Sequence, residues 1–198
     1  MRVREYSEHV SEAKLSPEFQ AAEHTLKVAL HRAELDIQQI PAPKEIAESS
    51  IAFAASVRTD KDHEHSPAGT GRFVLFWSPE PQENWTTRFR IVVYARSPLE
   101  SDIGTQDDSS ELTWAWMLDA LKFAGADYSA LAGTTTRIIS TGHGDLSSEK
   151  QHAEIELRAS WSPHGTDMAQ HFEAWQNLIC AMSDLAIAPG IEKLDRFA

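Results

Sequence analysis

The chain of 198 residues has one cysteine, Cys180. A single thiol excludes an intrachain disulfide framework and a cysteine-rich zinc site. No basic or helix-N-terminal group stands beside it to activate the thiol, so Cys180 reads as a small apolar residue on the flank of the last helix. No run of about eighteen apolar residues exists, so no segment is suited to cross a bilayer as a helix. The stretch Met1 to Glu8 also lacks the apolar core of a secretory signal. Positive charge is scarce: 18 Lys and Arg stand against 30 Asp and Glu, a net charge of −12. Nucleic acids and anionic lipid surfaces attract basic proteins, so neither is an expected partner. The expected compartment is the cytoplasm.

Catalytic signatures are missing too. There is no Gly-x-Ser-x-Gly elbow and no His-Glu-x-x-His helix. Gly69-Thr70-Gly71 and Gly142-His143-Gly144 lack the full glycine pattern of a phosphate loop, and both read as turns. Asp62-His63-Glu64-His65 has the right ligand types for a metal but no second pair at zinc-site spacing. His24 and His31 lie two helical turns apart, about 10 Å, too far to share one ion. No metal and no cofactor is expected. The chain has no internal repeat and no low-complexity tract.

What is present fits one domain. A chain of this size can bury roughly 70% of its unfolded surface. Residues 1–15 read as a flexible, polar N-terminal tail, and 16–198 as a single α+β domain. Ser16-Pro17-Glu18 opens a helix, with Ser16 as cap and Pro17 at the first helical position. Phe19, Ala22, Leu26, Leu30 and Ala33 recur on one face. After Pro41-Ala42-Pro43 the period changes to two, and Ile51, Phe53, Ala55 and Val57 mark a strand. Phe73-Val74-Leu75-Phe76-Trp77, apolar on both faces, reads as a central strand. It forms a hairpin with Arg88 to Arg96 across the loop of Pro79, Pro81 and Trp85. Polar loops fill 59–71 and 97–110. Asp108 and Glu111 resemble a capping arrangement for a helix over 111–124 that ends at Gly125. Strands follow near Thr134–Thr141 and His152–Trp161, then a helix from Thr166 or Asp167 with Met168, Phe172, Trp175, Ile179 and Met182 on one face.

The order is α-β-β-β-α-β-β-α. In the last strand, Ala153, Ile155, Leu157, Ala159 and Trp161 alternate with His152, Glu154, Glu156, Arg158 and Ser160. The expected architecture is therefore a two-layer antiparallel sheet with helices mainly on one face. This order is similar to that of the secretion-chaperone-like fold. A second resemblance rests on Ser16-Pro17-Glu18-Phe19, Ile40-Pro41-Ala42-Pro43, Gly71-Arg72-Phe73-Val74-Leu75, Trp114-Ala115-Trp116, Gly133-Thr134-Thr135-Thr136-Arg137 and Glu154 to Trp161. In that order they resemble the actinobacterial family called domain of unknown function 3000. The resemblance implies an actinobacterial, cytoplasmic protein and assigns no activity to any residue.

Two features are candidates for function. Arg88, Arg90, Tyr94 and Arg96 share one side of a strand, and Glu154, Glu156 and Arg158 one side of another. They read either as exposed cross-strand pairs or as a docking surface for a carboxylate or phosphate of a partner. In the middle helix, Trp114, Leu118 and Leu121 form one stripe; Leu112, Trp116 and Phe123 form a second about 180° away. The second stripe is expected to lie under a terminal helix or against a partner. The leading reading is a non-catalytic, chaperone-like or adaptor-like interaction module whose partner is another protein or a second copy. The alternative is a small-molecule-binding protein or an enzyme using Arg90, Arg137, Arg158 or His143.

Overall fold

A computed structural model describes residues 16–58, 69–99, 108–146 and 152–185. The tail 1–15, the histidine pair His63/His65 and most of the 97–110 loop lie outside these residues. The elements are α1 (Pro17–Val28), β1 (Leu35–Ile40), β2 (Ser49–Val57), β3 (Thr70–Trp77), β4 (Phe89–Leu99), α2 (Ser109–Phe123), β5 (Tyr128–Ser140), β6 (His152–Pro163) and α3 (Ala169–Met182). The strands form one antiparallel sheet in the order β1-β2-β3-β4-β6-β5. The α+β class, the β3–β4 hairpin and the pairing of β6 with β5 follow the alternation in the sequence.

The core lies between one sheet face and the helices. Phe53 of β2, Phe73 of β3 and Phe172 of α3 meet edge to face, with ring centroids 5.0 and 5.2 Å apart. Trp175 stacks obliquely on Phe73 and Phe172. Gly71 lets α3 approach β3: a Cβ there would lie 2.9 Å from Trp175 Nε1 and would collide with Ile179. Helix α3 is buried on nearly all sides, because the sheet covers one flank and α2 the other. Three of its buried polar side chains are bonded across the layers, although Asn177 Nδ2 has no partner among the described residues. Gln176 accepts from the Arg32 backbone N–H at 2.8 Å and donates to the Leu30 carbonyl at 3.1 Å, while Asn177 accepts from Arg32 at 2.9 Å. His171 Nδ1 accepts from Trp161 Nε1 at 3.1 Å, and burial pushes the imidazole down to about 4. Burial pushes the Cys180 thiol up to about 11, so Cys180 is an inert core residue as expected.

Four local readings change. Helix α1 stops at Val28, and Ala29 is already extended, so Leu30 is 92% exposed and Ala33 lies off the helix. Gln176 captures the chain there, and Leu35–Ile40 form an edge strand, β1, that the apolar pattern conceals. Strand β5 begins six residues earlier than expected, at Tyr128. A bulge between Ser129 and Ala132, with Ala130 at φ +51°, breaks its alternation. Asp108 holds the cap position of α2 but its side chain makes no capping bond. Helix α3 starts at Ala169, with the Asp167 carboxylate accepting its N–H at 3.0 Å.

Helix α2 carries one buried stripe rather than two. Thr113, Met117, Ala120 and Leu121 are buried at three- and four-residue spacing, and the helix packs chiefly on α3. Trp114 and Trp116 flank that stripe and are half-buried against the core. Leu118 and Phe123 stand about 40% exposed. The expected division into opposite stripes fails because Thr113, Met117 and Ala120 join Leu121 in the buried stripe, while Trp114 and Trp116 lie at its flanks.

Candidate interaction face

The second face of the sheet carries no helix among the described residues. Register fixes its layout, since directly paired residues on neighbouring strands sit about 5 Å apart. Arg72 of β3 pairs with Tyr94 of β4, Tyr94 with Arg158 of β6, and Arg158 with Thr134 of β5. The next row towards one end is Val74, Val92, Ser160 and Ala132. Towards the other end lie Thr70, Arg96, Glu156 and Thr136.

The two ends of this face differ. At one end Ser50 Oγ donates to the Pro43 carbonyl at 2.6 Å, and Gln82 donates to the Ile46 carbonyl at 2.9 Å. The segments 41–48 and 78–88 thereby roof Phe76, Ala52 and Arg90, all buried. Arg90 is 8% exposed and has no carboxylate partner among the described residues. Its guanidinium donates to the Ala130 carbonyl at 3.0 Å, the Asn84 carbonyl at 3.4 Å, Ser160 Oγ at 2.7 Å and Ser162 Oγ at 3.4 Å. Asn84 and Ala130 are both left-handed. Arg90 therefore clamps two strained turns, and burial pushes its pKa down.

Away from the roof the face is open. Val92 is 37% exposed although it sits on an inner strand of a six-stranded sheet. Two rows along the face, Glu156 is nearly buried and organises a small network. Its carboxylate accepts from Tyr94 OH and from Arg158, both at 2.9 Å. The Arg158 guanidinium lies over the Tyr94 ring, 5.7 Å from the centroid. Burial, with the Glu156 carboxylate beside it, pushes the Tyr94 phenol up. Arg96 pairs with Glu154, a bond that pushes the Arg96 pKa up. Arg72 is exposed and has no ion pair among the described residues. On β3, β4 and β6 this face thus carries Arg72, Arg90, Arg96 and Arg158 against Glu154 and Glu156, an excess of two positive charges on a chain of net charge −12.

The residues singled out in the sequence fall into separate places. Arg90, Tyr94, Arg96 and Arg158 share the helix-free face, Arg90 under its roofed end and the other three on the open part. Arg88 does not: it precedes β4 and reaches Glu18 of α1 at 3.5 Å, where the Trp77 indole also donates. Arg137 pairs with Ile155, and so lies on the helix side of β5. His143 is exposed in the turn after β5. Trp116 and Phe123 belong to α2, across the sheet from the arginines. Arg90, Arg137, Arg158 and His143 therefore do not converge. A shallow hollow of about 320 Å³ between α2 and β5 is lined by Ser110, Glu111, Trp114, Gly133 and Thr135. No group of three or more metal-ligating side chains occurs among the described residues. Sequence reasoning missed Arg72 and Val92. Arg72 lies two residues from Val74, and that spacing puts both on one face.

No helix of the described residues is long and apolar enough to cross a membrane. No curated protein and no solved structure matches the chain significantly. The likeness to the secretion-chaperone-like fold stays one of element order. A family model described as "Protein of unknown function (DUF3000)" matches residues 15–191, most of the chain, and the protein belongs to that family.

Proposed function

We propose that the protein is a non-catalytic protein-interaction module that docks a partner on the open face of its sheet. One observation carries this reading: a surface-exposed Val92 on an inner strand, beside the Arg72–Tyr94–Arg158 row. Arg and Tyr are enriched at protein interfaces, and a solvent-exposed apolar centre ringed by such residues gains by being covered. The partner surface is acidic. Arg72 offers a guanidinium free to form a bidentate bond with a carboxylate. The Tyr94–Glu156–Arg158 network holds its own side chains in place before any partner arrives, which lowers the ordering cost of binding. The cytoplasm is the compartment in which this reading is set.

The test is native co-purification from the source cell of the wild-type protein and of Arg72→Glu/Arg158→Glu. The expected result is a protein recovered in fixed proportion with the wild type and lost with the variant, while both melt alike. Recovery of the same protein by the charge-reversed chain would assign its binding to another surface. A small molecule retained in place of a protein partner would favour the ligand-binding reading.

A further inference from the structure

The two edges of the sheet are built differently. Strand β1 is six residues long, carries Asp36 and runs into Pro41 and Pro43. Short length, charge and proline are the usual devices that stop an edge from pairing with another chain. Strand β5 is long, free of proline and nearly free of charge. It runs for 13 residues, Tyr128 to Ser140, pairs only with β6 among the described residues, and contains no proline. Charged residues make up 24% of the chain, which would put about three in a segment of this length; β5 has one, Arg137. Four of the five residues Ala132 to Thr136 are exposed, and the run Thr134-Thr135-Thr136 has high strand propensity. The bulge interrupts only the first part, leaving Ala132 to Ser140 in regular register.

We infer that β5 pairs edge to edge with β5 of a second copy, antiparallel across a two-fold axis near Thr134–Thr136. Antiparallel pairing of identical strands is self-complementary, as a two-fold interface requires. An axis at Thr135 brings Thr134 opposite Thr136 and Thr135 opposite its own copy, pairs that sheets accept readily. It also joins two highly acidic chains along the one long strand edge that carries almost no charge, so local repulsion is least there. The hollow lined by Trp114, Gly133 and Thr135 lies along the same edge and would be closed by the second copy. The result is a continuous twelve-stranded sheet. Thr134 is the direct neighbour of Arg158, so the second copy extends the open face past the Arg72–Tyr94–Arg158 row. The dimer does not depend on that face having a partner.

The experiment is mass measurement in solution on the full chain by light scattering. The wild type is expected at twice the monomer mass of 22.1 kDa. Thr134→Asp/Thr136→Asp and Thr134→Lys/Thr136→Lys each place like charges across the axis, and each is expected as a folded monomer by circular dichroism. Mixing the two is expected to restore a mixed dimer. A monomeric wild type at the highest concentration reached overturns the inference. So does a dimer that persists in the folded Asp variant or the folded Lys variant. Should one variant fail to fold, the other and the wild-type mass still decide. Loss of the dimer with native partner capture intact would leave the open-face reading standing, and the reverse result would separate them in the other direction.

Discussion

The two faces of the sheet are made by alternate residues of the same strands, yet they obey different rules. On the helix side Phe73, Leu75, Ile91, Val93, Leu157 and Trp161 are buried against α3 and its neighbours. One residue along each strand, Arg72, Val74, Val92, Tyr94, Arg158 and Ser160 face outward. The first set has one role, packing, and its energetics follow buried area. The second contributes little to the fold: exposed ion pairs are worth about 0–1 kcal/mol each. Its residues are therefore free to be chosen for something else. The roofed end of the open face shows the intermediate case, in which Arg90 is turned into a structural clamp by burial.

The largest effect is expected on the covered face. Trp175→Ala removes a fully buried indole that touches Phe73 and Phe172. It should cost about 3–5 kcal/mol in urea unfolding. A loss near the level of a surface substitution would show that the helix layer is not the core.

The next effect depends on pH. Folded His171 resists protonation down to about 4, whereas the unfolded chain titrates near 6.5. Between those values the unfolded state binds more protons, so stability rises with pH and is lost as pH falls from 6.5 towards 4. The full difference approaches about 3 kcal/mol at 1.36 kcal/mol per pKa unit. His171→Gln, which keeps an acceptor for Trp161 but does not titrate, should flatten that part of the stability profile. An unchanged slope would place the acid sensitivity elsewhere.

Arg90→Ala should cost about 1–3 kcal/mol, because it strips hydrogen bonds from the Asn84 and Ala130 carbonyls and from two serines. Binding of a partner should survive wherever the variant remains folded. On the open part of the face, Arg96→Gln should cost no more than about 1 kcal/mol by the same unfolding measurement, as expected for an exposed pair with Glu154.

Much of this contrast was legible in the sequence, and the reason is the two-residue period. In β4 and β6 outward and inward residues alternate, so the layered class and the placing of Arg90, Tyr94 and Arg96 on one side of a strand, and of Glu156 and Arg158 on one side of another, follow directly; that the two strands are neighbours does not. Alternation says nothing where both faces are apolar. In β3, Val74 and Phe76 mask the outward parity, and Arg72 is hidden as a flank of an apolar run. It also fails at irregularities that carry no sequence mark. The bulge at Ala130 has a left-handed residue where glycine is usual, and it is held by Arg90 from another strand. The end of α1 is likewise set by Gln176, far along the chain, rather than by a local stop signal. Arg88 was misplaced for a related reason: its parity is right, but the strand begins after it and Glu18 draws it to the helix side.

On the proposed function, the Arg72–Tyr94–Arg158 surface serves binding and not folding. The most direct measurement compares the melting temperature and partner recovery of Arg72→Glu/Arg158→Glu with those of the wild type. The expected result is a change in stability within about 0.5 kcal/mol per substitution, the usual range for surface positions, together with loss of the partner. A variant that unfolds, or one that keeps both its stability and its partner, would contradict it.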